Sequence, residues 1–171
     1  RFVARGYVRR RSARLRRLVT MSALPQPASG QFDGPRHLYP LRVHYEDTDL
    51  SGIVYHANYL KFCERARSEL LRQLGVDQRA ATEAGEGAYA VAEAQIRWLR
   101  PAKLDDALLI ETRATRLGAA SVSLAQRVLR GDDVLAEVDI RVGFVAPDGR
   151  PRRQPAAWRT AFDSFFVKDP A

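Results

Sequence analysis

The stretch from His44 to Leu60 reads HYEDTDLSGIVYHANYL and concentrates ionisable side chains where a strand-like pattern gives way to a helix-like one. Residues 39–46 have the short apolar pattern of a β-strand. Ser51-Gly52 is a turn signal. We therefore predict a strand-to-helix loop that carries three carboxylates, two histidines, a glycine and an asparagine: Glu46, Asp47, Asp49, His44, His56, Gly52 and Asn58.

The helix that follows is the clearest in the chain. Its apolar positions repeat at spacings of three, four and seven, which places them on one face of an α-helix; they are Tyr59, Leu60, Phe62, Cys63, Ala66, Leu70, Leu71 and Leu74. We expect Asn58 to be the N-cap and Gly75 to end the helix. The charged side chains of the opposite face, among them Arg65 and Glu69 four residues apart, are expected to face solvent or an interface.

Beyond a polar, Ala- and Gly-rich connection that ends at Gly87, the hydrophobic period changes to two. Clean or fair alternation predicts strands over 108–114, 122–128 and 134–144, with turns at Gly118 and Gly131. An earlier strand over 89–99 changes phase between Val91 and Ile96, which predicts a bulge. One long helix followed by four strands with short turns predicts an α+β fold, a helix packed on an antiparallel sheet.

The formal net charge of +8 and the pI near 10.2 raise the question of a nucleic-acid or membrane partner. Eight arginines lie in residues 1–20, and without them the 28 basic residues fall to 20, equal to the 20 acidic ones. We expect residues 1–36 to be a disordered or non-native basic extension and linker. An over-extended gene start ahead of Met21, a basic arm and an organellar transit peptide are its alternative origins. Residues 37–171 are expected to form one domain that does not bind nucleic acid.

The cysteine content and the hydropathy pattern favour a cytoplasmic protein. The single cysteine, Cys63, cannot form an intramolecular disulfide and is expected to be a small core residue. No apolar run is long enough to predict a membrane span, and no metal or cofactor is expected. His37 and His44 are expected at the surface. The segment from Pro147-Asp148-Gly149 through residue 155 is predicted as turn and loop, with Trp158, Phe162, Phe165 and Phe166 docking back or lying at an interface.

The loop has the parts of an acyl-transfer site. A carboxylate can act as general base or nucleophile, and the free amides of a helix N-terminus can hold a carbonyl oxygen as negative charge develops. Asp49, nearest the glycine turn, is the best-placed acid. His56 is positioned to donate to the carbonyl or orient water, and Tyr45 to hydrogen-bond Asp49. The same residues also fit an ordinary turn, with Asp47 and Asp49 bonding their own backbone and Tyr45 half-buried in the strand.

The motif RVHYEDTDLSGIVYHANYLKFCERARSELLRQLG, together with IRWLRPAKLDDALLIETRATRLGAASVSLAQRVLRG, resembles the hotdog-fold acyl-CoA thioesterases of the 4-hydroxybenzoyl-CoA thioesterase type. It looks closest to the bacterial subgroup associated with the Tol-Pal system, and the similarity covers roughly residues 41–155. The resemblance implies a long central helix wrapped by a curved antiparallel sheet of five or six strands. It also implies dimers whose sheets join edge to edge, commonly paired into tetramers, with active sites at the subunit interface.

The resemblance also implies roles for individual residues. Asp49 matches the catalytic carboxylate, His56 the active-site histidine, and Tyr45 a supporting tyrosine of the subgroup. The backbone amides around His56 to Asn58 would polarise the thioester carbonyl. The loop and acyl pocket would be shaped by Gly52, Ile53, Val54, Tyr55, Ala57 and Asn58. Ser51 stands where many relatives have Gly or Ala, a small departure that touches loop geometry.

The CoA phosphates call for basic groups near the tunnel mouth, and position alone selects Arg97, Arg100 and Lys103, which fit solvated strand-end charges equally well. Two other functions stay open. A hotdog hydratase or dehydratase would need a carboxylate partner for His56, and Glu64 is the candidate, although the eight residues between them span about 12 Å along a helix. A non-catalytic protein that binds acyl-CoA or acyl-carrier protein would need neither acid nor histidine.

Overall fold

The computed structural model describes residues 27–165. Its strands are β1 (Gln31–Asp33), β2 (Arg36–Arg42), β3 (Ala88–Trp98), β4 (Ala107–Leu117), β5 (Ser121–Arg130) and β6 (Asp133–Val145). Its helices are α1 (Asn58–Gln73), α2 (Gln78–Glu83) and α3 (Ala156–Phe165), and a 3-10 turn lies at Tyr45–Asp47. The basic segment 1–20, residues 21–26 of the expected linker and Phe166 lie outside the described residues.

All six strands form one antiparallel sheet in the order β1-β2-β4-β5-β6-β3. The α+β architecture predicted from the sequence is confirmed. The expected bulge is present as a register shift between Val91 and Glu93. The sequence order does not reveal that β3 pairs with β6, the last strand, and not with β4.

Helix α1 lies across the sheet and supplies much of the core. Phe62, Cys63 and Ala66 are fully buried against strand residues such as Ile110 and Val138. Leu70 belongs to a second cluster that also contains Phe162 and Phe165 of α3. Burying a large apolar side chain stabilises the fold by about 1.5–3 kcal/mol. The apolar face of α1 therefore indicates which side of the helix packs on the sheet.

The ends of α1 differ in how well they were predicted. Gly75 has φ +75° and its amide donates to the Arg72 carbonyl, as a glycine that ends a helix should. Asn58 is not the N-cap, because the helix starts at Asn58 itself and its side-chain amide donates to the carbonyl of Asp47 at 2.9 Å. The expected Arg65–Glu69 spacing is not used: Glu64 pairs with Arg67 and Glu69 with Arg72.

Three expectations about secondary structure were wrong. The sheet begins at Gln31, inside the predicted linker, because β1 pairs with β2. The strand predicted to reach Glu46 ends at Arg42, since the chain turns into the 3-10 helix. The polar connection contains α2, capped by the Asp77 carboxylate on the Ala80 amide. The turn and loop predicted over 147–155 are confirmed; beyond them α3, which was not predicted, docks Phe162 and Phe165 into the core and Trp158 against Tyr89.

His37 was expected at the surface and is instead completely buried. Its Nε2 contacts the Ser29 carbonyl at 3.1 Å and its ring lies edge-on to Phe32, while Nδ1 has no hydrogen-bond partner among residues 27–165. Burial lowers the pKa of His37, opposed by the Ser29 carbonyl and by the charge of Glu69. The imidazole therefore favours its neutral form in the folded protein.

This burial predicts a pH-dependent stability. The pKa of His37 is lower in the folded than in the unfolded chain, so the contribution is complete above the unfolded pKa of about 6.5 and is lost as pH falls through the folded pKa. Urea unfolding at pH 7.5 and at pH 5.5 should show a loss of unfolding free energy for wild type. His37→Phe, which keeps a ring but cannot titrate, should lose less. Equal losses in the two proteins would contradict this assignment.

Candidate active site

The loop between β2 and α1 is organised around Asp47. Its buried carboxylate accepts a hydrogen bond from the His44 amide at 2.8 Å. Its carbonyl accepts from the amide of Tyr55 and from the side chain of Asn58, both at 2.9 Å. Asp47 therefore ties the beginning of the loop to the beginning of α1, and Glu46 beside it is exposed.

Asp49 occupies a tight turn at the protein surface. Its Oδ1 accepts from the Ser51 amide at 2.8 Å, its amide donates to the Ile53 carbonyl at 3.0 Å, and its carbonyl accepts from Gly52 at 3.0 Å. Gly52 has φ +71°, a conformation that glycine adopts without strain. The Ser51 amide holds the carboxylate in place through Oδ1, and within residues 27–165 no protein group bonds to Oδ2. Oδ2 is therefore available for chemistry.

The entry to α1 leaves two consecutive backbone amides available. The Asn58 amide donates to the Tyr55 carbonyl at 2.8 Å, so it cannot be one of the amides expected to polarise a substrate. The amides of His56 and Ala57 donate to no acceptor in the described part of the chain. The first amides of a helix lack intrahelical partners and carry the positive end of the helix dipole. This pair is therefore suited to bind an anionic oxygen.

The side chains of His56 and Tyr45 are both exposed. The His56 ring lies 4.4 Å from the Tyr55 ring and 5.6 Å from the Trp98 ring, centroid to centroid. Tyr45 is in the 3-10 turn and 83% exposed, so neither strand packing nor the expected hydrogen bond to Asp49 is found among the described residues. The structure thus brings His56 to the start of α1 and leaves the phenol of Tyr45 in solvent.

The residues expected to shape an acyl pocket separate into two groups. Val54 is buried in the core, and its amide donates to the Ala102 carbonyl at 2.8 Å. Ile53 and Ala57 are half-buried, and Tyr55 is 45% exposed. These three remain able to face a substrate.

Two of the three basic residues expected near CoA already have acidic partners. Arg97 pairs with Glu137, while Arg100 lies 4.0 Å from Asp133 and donates to the Val134 carbonyl. Lys103 is exposed, and its ammonium group forms no ion pair within the described chain. Lys103 is therefore the residue of this set with an uncommitted charge.

Residues 98–102, at the end of β3 and just after it, brace the loop through hydrogen bonds, a role that was not predicted from the sequence. Trp98 Nε1 donates to the His56 carbonyl at 3.1 Å. Four residues later the Ala102 amide donates to the Tyr59 hydroxyl at 2.9 Å, while the Ala102 carbonyl accepts from Val54. Burial raises the pKa of Tyr59 and keeps it a neutral phenol. The only sequence signal for this brace was the motif around residues 100–106. Hydrophobic periodicity placed Tyr59 on the buried face of α1 but did not predict its hydrogen bond with Ala102.

An anchored aspartate supports this brace. The Asp106 carboxylate accepts from the Lys103 amide and from Arg130, both within 2.9 Å. Burial alone would raise the pKa of Asp106, but these two donors outweigh it and hold the pKa below its ordinary value. The ionised side chain therefore fixes the turn that presents Ala102 to the loop.

A second feature is an open cleft on the α1 side of the sheet, with a cavity volume of about 60 Å³. Its walls are mostly apolar with a polar edge: Leu70, Leu71, Tyr89, Val91, Leu124, Val142 and Phe162, with Glu64, Arg67 and Gln78. Arg67 is buried, bonded to Gln126 and to Glu64, and Gln126 bonds onward to Thr112. Cys63 is fully buried and its thiol pKa is raised to about 12, which excludes it as a thiolate nucleophile at neutral pH.

Among residues 27–165, no cluster of three or more His, Cys, Asp or Glu side chains is arranged to hold a metal ion. In the same part of the chain, no helix is both long and apolar enough to span a membrane.

Comparisons with known proteins agree with this architecture. Residues 51–137 match the thioesterase superfamily model. The acyl-CoA thioesterase YbgC of Haemophilus influenzae is 38% identical over 125 residues, which cover 70% of this chain and 92% of that protein. The acyl-CoA thioester hydrolase YbgC of Escherichia coli is 40% identical, with 68% and 88% covered.

Solved structures show the same fold. A probable thioesterase from Bartonella henselae superposes with a TM-score of 0.67 at 38% identity, covering 70% of this chain and 99% of that one. A 1,4-dihydroxy-2-naphthoyl-CoA thioesterase from Synechocystis superposes with a TM-score of 0.71 at 24% identity, covering 75% and 96%, and shows the fold alone. The hotdog fold expected from the sequence is confirmed, and the chain belongs to the thioesterase superfamily.

Proposed function

We propose that this thioesterase hydrolyses acyl-CoA to a free carboxylic acid and CoA, with Asp49 as its catalytic carboxylate. The observation that carries the proposal is the pairing, within one loop, of a free carboxylate oxygen on Asp49 with the free amides of His56 and Ala57. Base and oxyanion donors are the two groups that acyl transfer to water requires. Relatives 38–40% identical are named acyl-CoA thioesterases, which supports the substrate class.

Two routes use the same groups. As a general base, Asp49 removes a proton from water, the hydroxide adds to the thioester carbon, and the C–S bond breaks to release CoA thiolate. As a nucleophile, Asp49 itself adds to that carbon, CoA leaves, and water hydrolyses the resulting anhydride to regenerate the carboxylate. In both routes the His56 and Ala57 amides hold the oxygen that becomes negative. A thiol ionises readily, so its departure needs no strong acid.

The remaining loop residues have supporting roles in this proposal. His56 donates a hydrogen bond to the carbonyl or orients the attacking water, and its exposed ring at the start of α1 permits either. Tyr45 takes part only after a change in its side-chain position or by contact with a second subunit, because its ring is in solvent. Lys103, with its uncommitted ammonium group, is the best-placed residue to meet a CoA phosphate.

We also propose that the site is shared between subunits. Strand β3 pairs with β6 along one edge, and no strand of the described chain covers its other edge. Antiparallel pairing of β3 with a second copy around Glu93 would bring the Trp98 end of one strand beside the Ala88–Val91 end of the other. The first end braces the Asp49 loop and the second lines the cleft. The cleft of one subunit would then receive the acyl group cleaved by Asp49 of its neighbour.

The wider setting belongs to the same proposal. The resemblance described above implies a dimer of this kind and the pairing of two dimers into a tetramer. A cytoplasmic location is consistent with a single, buried cysteine. The resemblance to the Tol-Pal-associated subgroup would place the reaction near envelope lipid metabolism, and acyl-carrier protein is a possible alternative acyl donor.

A thiol-release assay tests the proposed activity. Short-chain, long-chain and aromatic acyl-CoAs should each be offered to the wild-type protein, and an acyl-carrier-protein thioester alongside them. We expect thiol release from at least one acyl-CoA class, with the preference set by the depth of the cleft. Hydration of crotonyl-CoA without thiol release would favour the hydratase alternative, and saturable binding without turnover would favour an acyl-CoA-binding protein.

A further inference from the structure

We infer that Trp98 is a positioning residue for the oxyanion-binding amides, an inference that rests on the proposed function. Its indole Nε1 donates to the carbonyl oxygen of His56 at 3.1 Å. Its ring meets the His56 ring edge-on, with an angle of 83° between the planes. The two residues are 42 positions apart in the chain, so the tertiary fold alone creates the contact.

Trp98 is able to act as an anchor because its backbone is fixed. It is the last residue of β3 and pairs with Ala136 of β6, and the next amide, of Leu99, donates to the Leu135 carbonyl at 2.8 Å. Its side chain is 47% exposed, and among residues 27–165 its hydrogen bond and its ring contact are both with His56. The indole hydrogen bond and the His56 ring therefore define where the side chain lies.

The anchored carbonyl belongs to the peptide group that carries the Ala57 amide. A trans peptide is planar, so its C=O and N–H point in opposite directions. A donor that fixes the His56 carbonyl therefore also fixes the direction of the Ala57 N–H. The preceding peptide has the same arrangement, because the Tyr55 carbonyl accepts from Asn58 while the His56 N–H has no acceptor within residues 27–165. Together the two bonds set the angle between the two free amides.

The bond should also strengthen the donor. A carbonyl that accepts a hydrogen bond polarises its own peptide group, and the N–H of that group becomes a better donor. The effect matters most when the substrate oxygen carries a negative charge, that is, in the transition state. Losing the indole N–H should therefore lower kcat and leave KM nearly unchanged.

The test compares Trp98→Phe, which keeps a ring without a donor, with Trp98→His, which keeps a ring N–H. Trp158→Phe, in the other tryptophan, is the control, since Trp158 packs on Tyr89 and Phe144 away from the loop. We expect Trp98→Phe to lower kcat by about tenfold, in the range seen when supporting residues around a site are removed. Trp98→His should recover part of the loss, and Trp158→Phe should equal wild type.

A second readout does not depend on turnover. An S-(2-oxoalkyl)-CoA, whose ketone cannot be hydrolysed, reports carbonyl polarisation through its infrared stretching frequency. The band should shift to lower frequency on binding to wild type, and Trp98→Phe should lose part of that shift even if its thermal stability is reduced. Wild-type kcat and an unchanged shift in Trp98→Phe would overturn the role of Trp98. No shift in wild type would instead contradict the amide donors of the proposed function.

Discussion

Asp49→Asn should lower the turnover of acyl-CoA by about two to four orders of magnitude while the protein stays folded. The substitution keeps the side-chain shape, and an amide oxygen can still accept the Ser51 N–H bond that holds Oδ1. What it removes is the basic and nucleophilic character of Oδ2. Free thiol release at saturating acyl-CoA, with circular dichroism to confirm folding, measures the effect.

Glu46→Gln is the matched control for Asp49→Asn. Glu46 lies three residues earlier, is exposed and loses the same negative charge on substitution. It should keep wild-type turnover because its carboxylate has no place in the site. If both substitutions lowered turnover equally, the net charge of the loop would account for the effect, and the specific role of Asp49 would fail.

Mixing two inactive variants should restore activity if each site combines Asp49 of one subunit with the cleft of the other. One variant is Asp49→Asn, and the second is Val91→Trp, which fills the cleft from an exposed position on its wall. Random exchange between C2 dimers makes half of them mixed, each with one intact site, so about one quarter of wild-type activity should return. The measurement is thiol release after subunit exchange, with size-exclusion chromatography to verify dimers.

In a second mixture, the double variant Asp49→Asn/Val91→Trp is combined with wild type, so that both substitutions lie on the same subunit. Shared sites leave only wild-type homodimers active, about one quarter of the sites, whereas self-contained sites leave about one half. No recovery in the first mixture together with one half in the second would show that each subunit holds a complete site.

The parts of the fold that were predicted are those with a local cause. The 3.6-residue period of α1 and the alternation of β4, β5 and β6 depend on which face each residue buries. The bulge after Val91 followed from a change of phase within one strand. Helix α3 was missed because its short pattern follows an Arg- and Pro-rich segment, and only docking on the core makes Phe162 and Phe165 a coherent apolar face.

The candidate site divides in the same way. The turn at Asp49 and the start of α1 were predicted because turn residues and helix signals lie next to each other in the sequence. Which amides remain free depends on hydrogen bonds that the sequence does not reveal, such as Asn58 to Tyr55 and Trp98 to His56. The burial of Val54 likewise depends on a contact with the distant Ala102. The burial of His37 depends on how the preceding segment folds back, because Ser29, eight residues earlier, contacts its ring.

The most direct test of the central claim is a single-turnover measurement with enzyme in excess over acyl-CoA. Rapid quenching gives the rate constant of thioester cleavage, and its dependence on enzyme concentration gives the affinity for acyl-CoA, so binding and chemistry are separated. We predict that Asp49→Asn binds acyl-CoA like wild type and cleaves it about two to four orders of magnitude more slowly. Equal cleavage rate constants for Asp49→Asn and wild type would contradict the account.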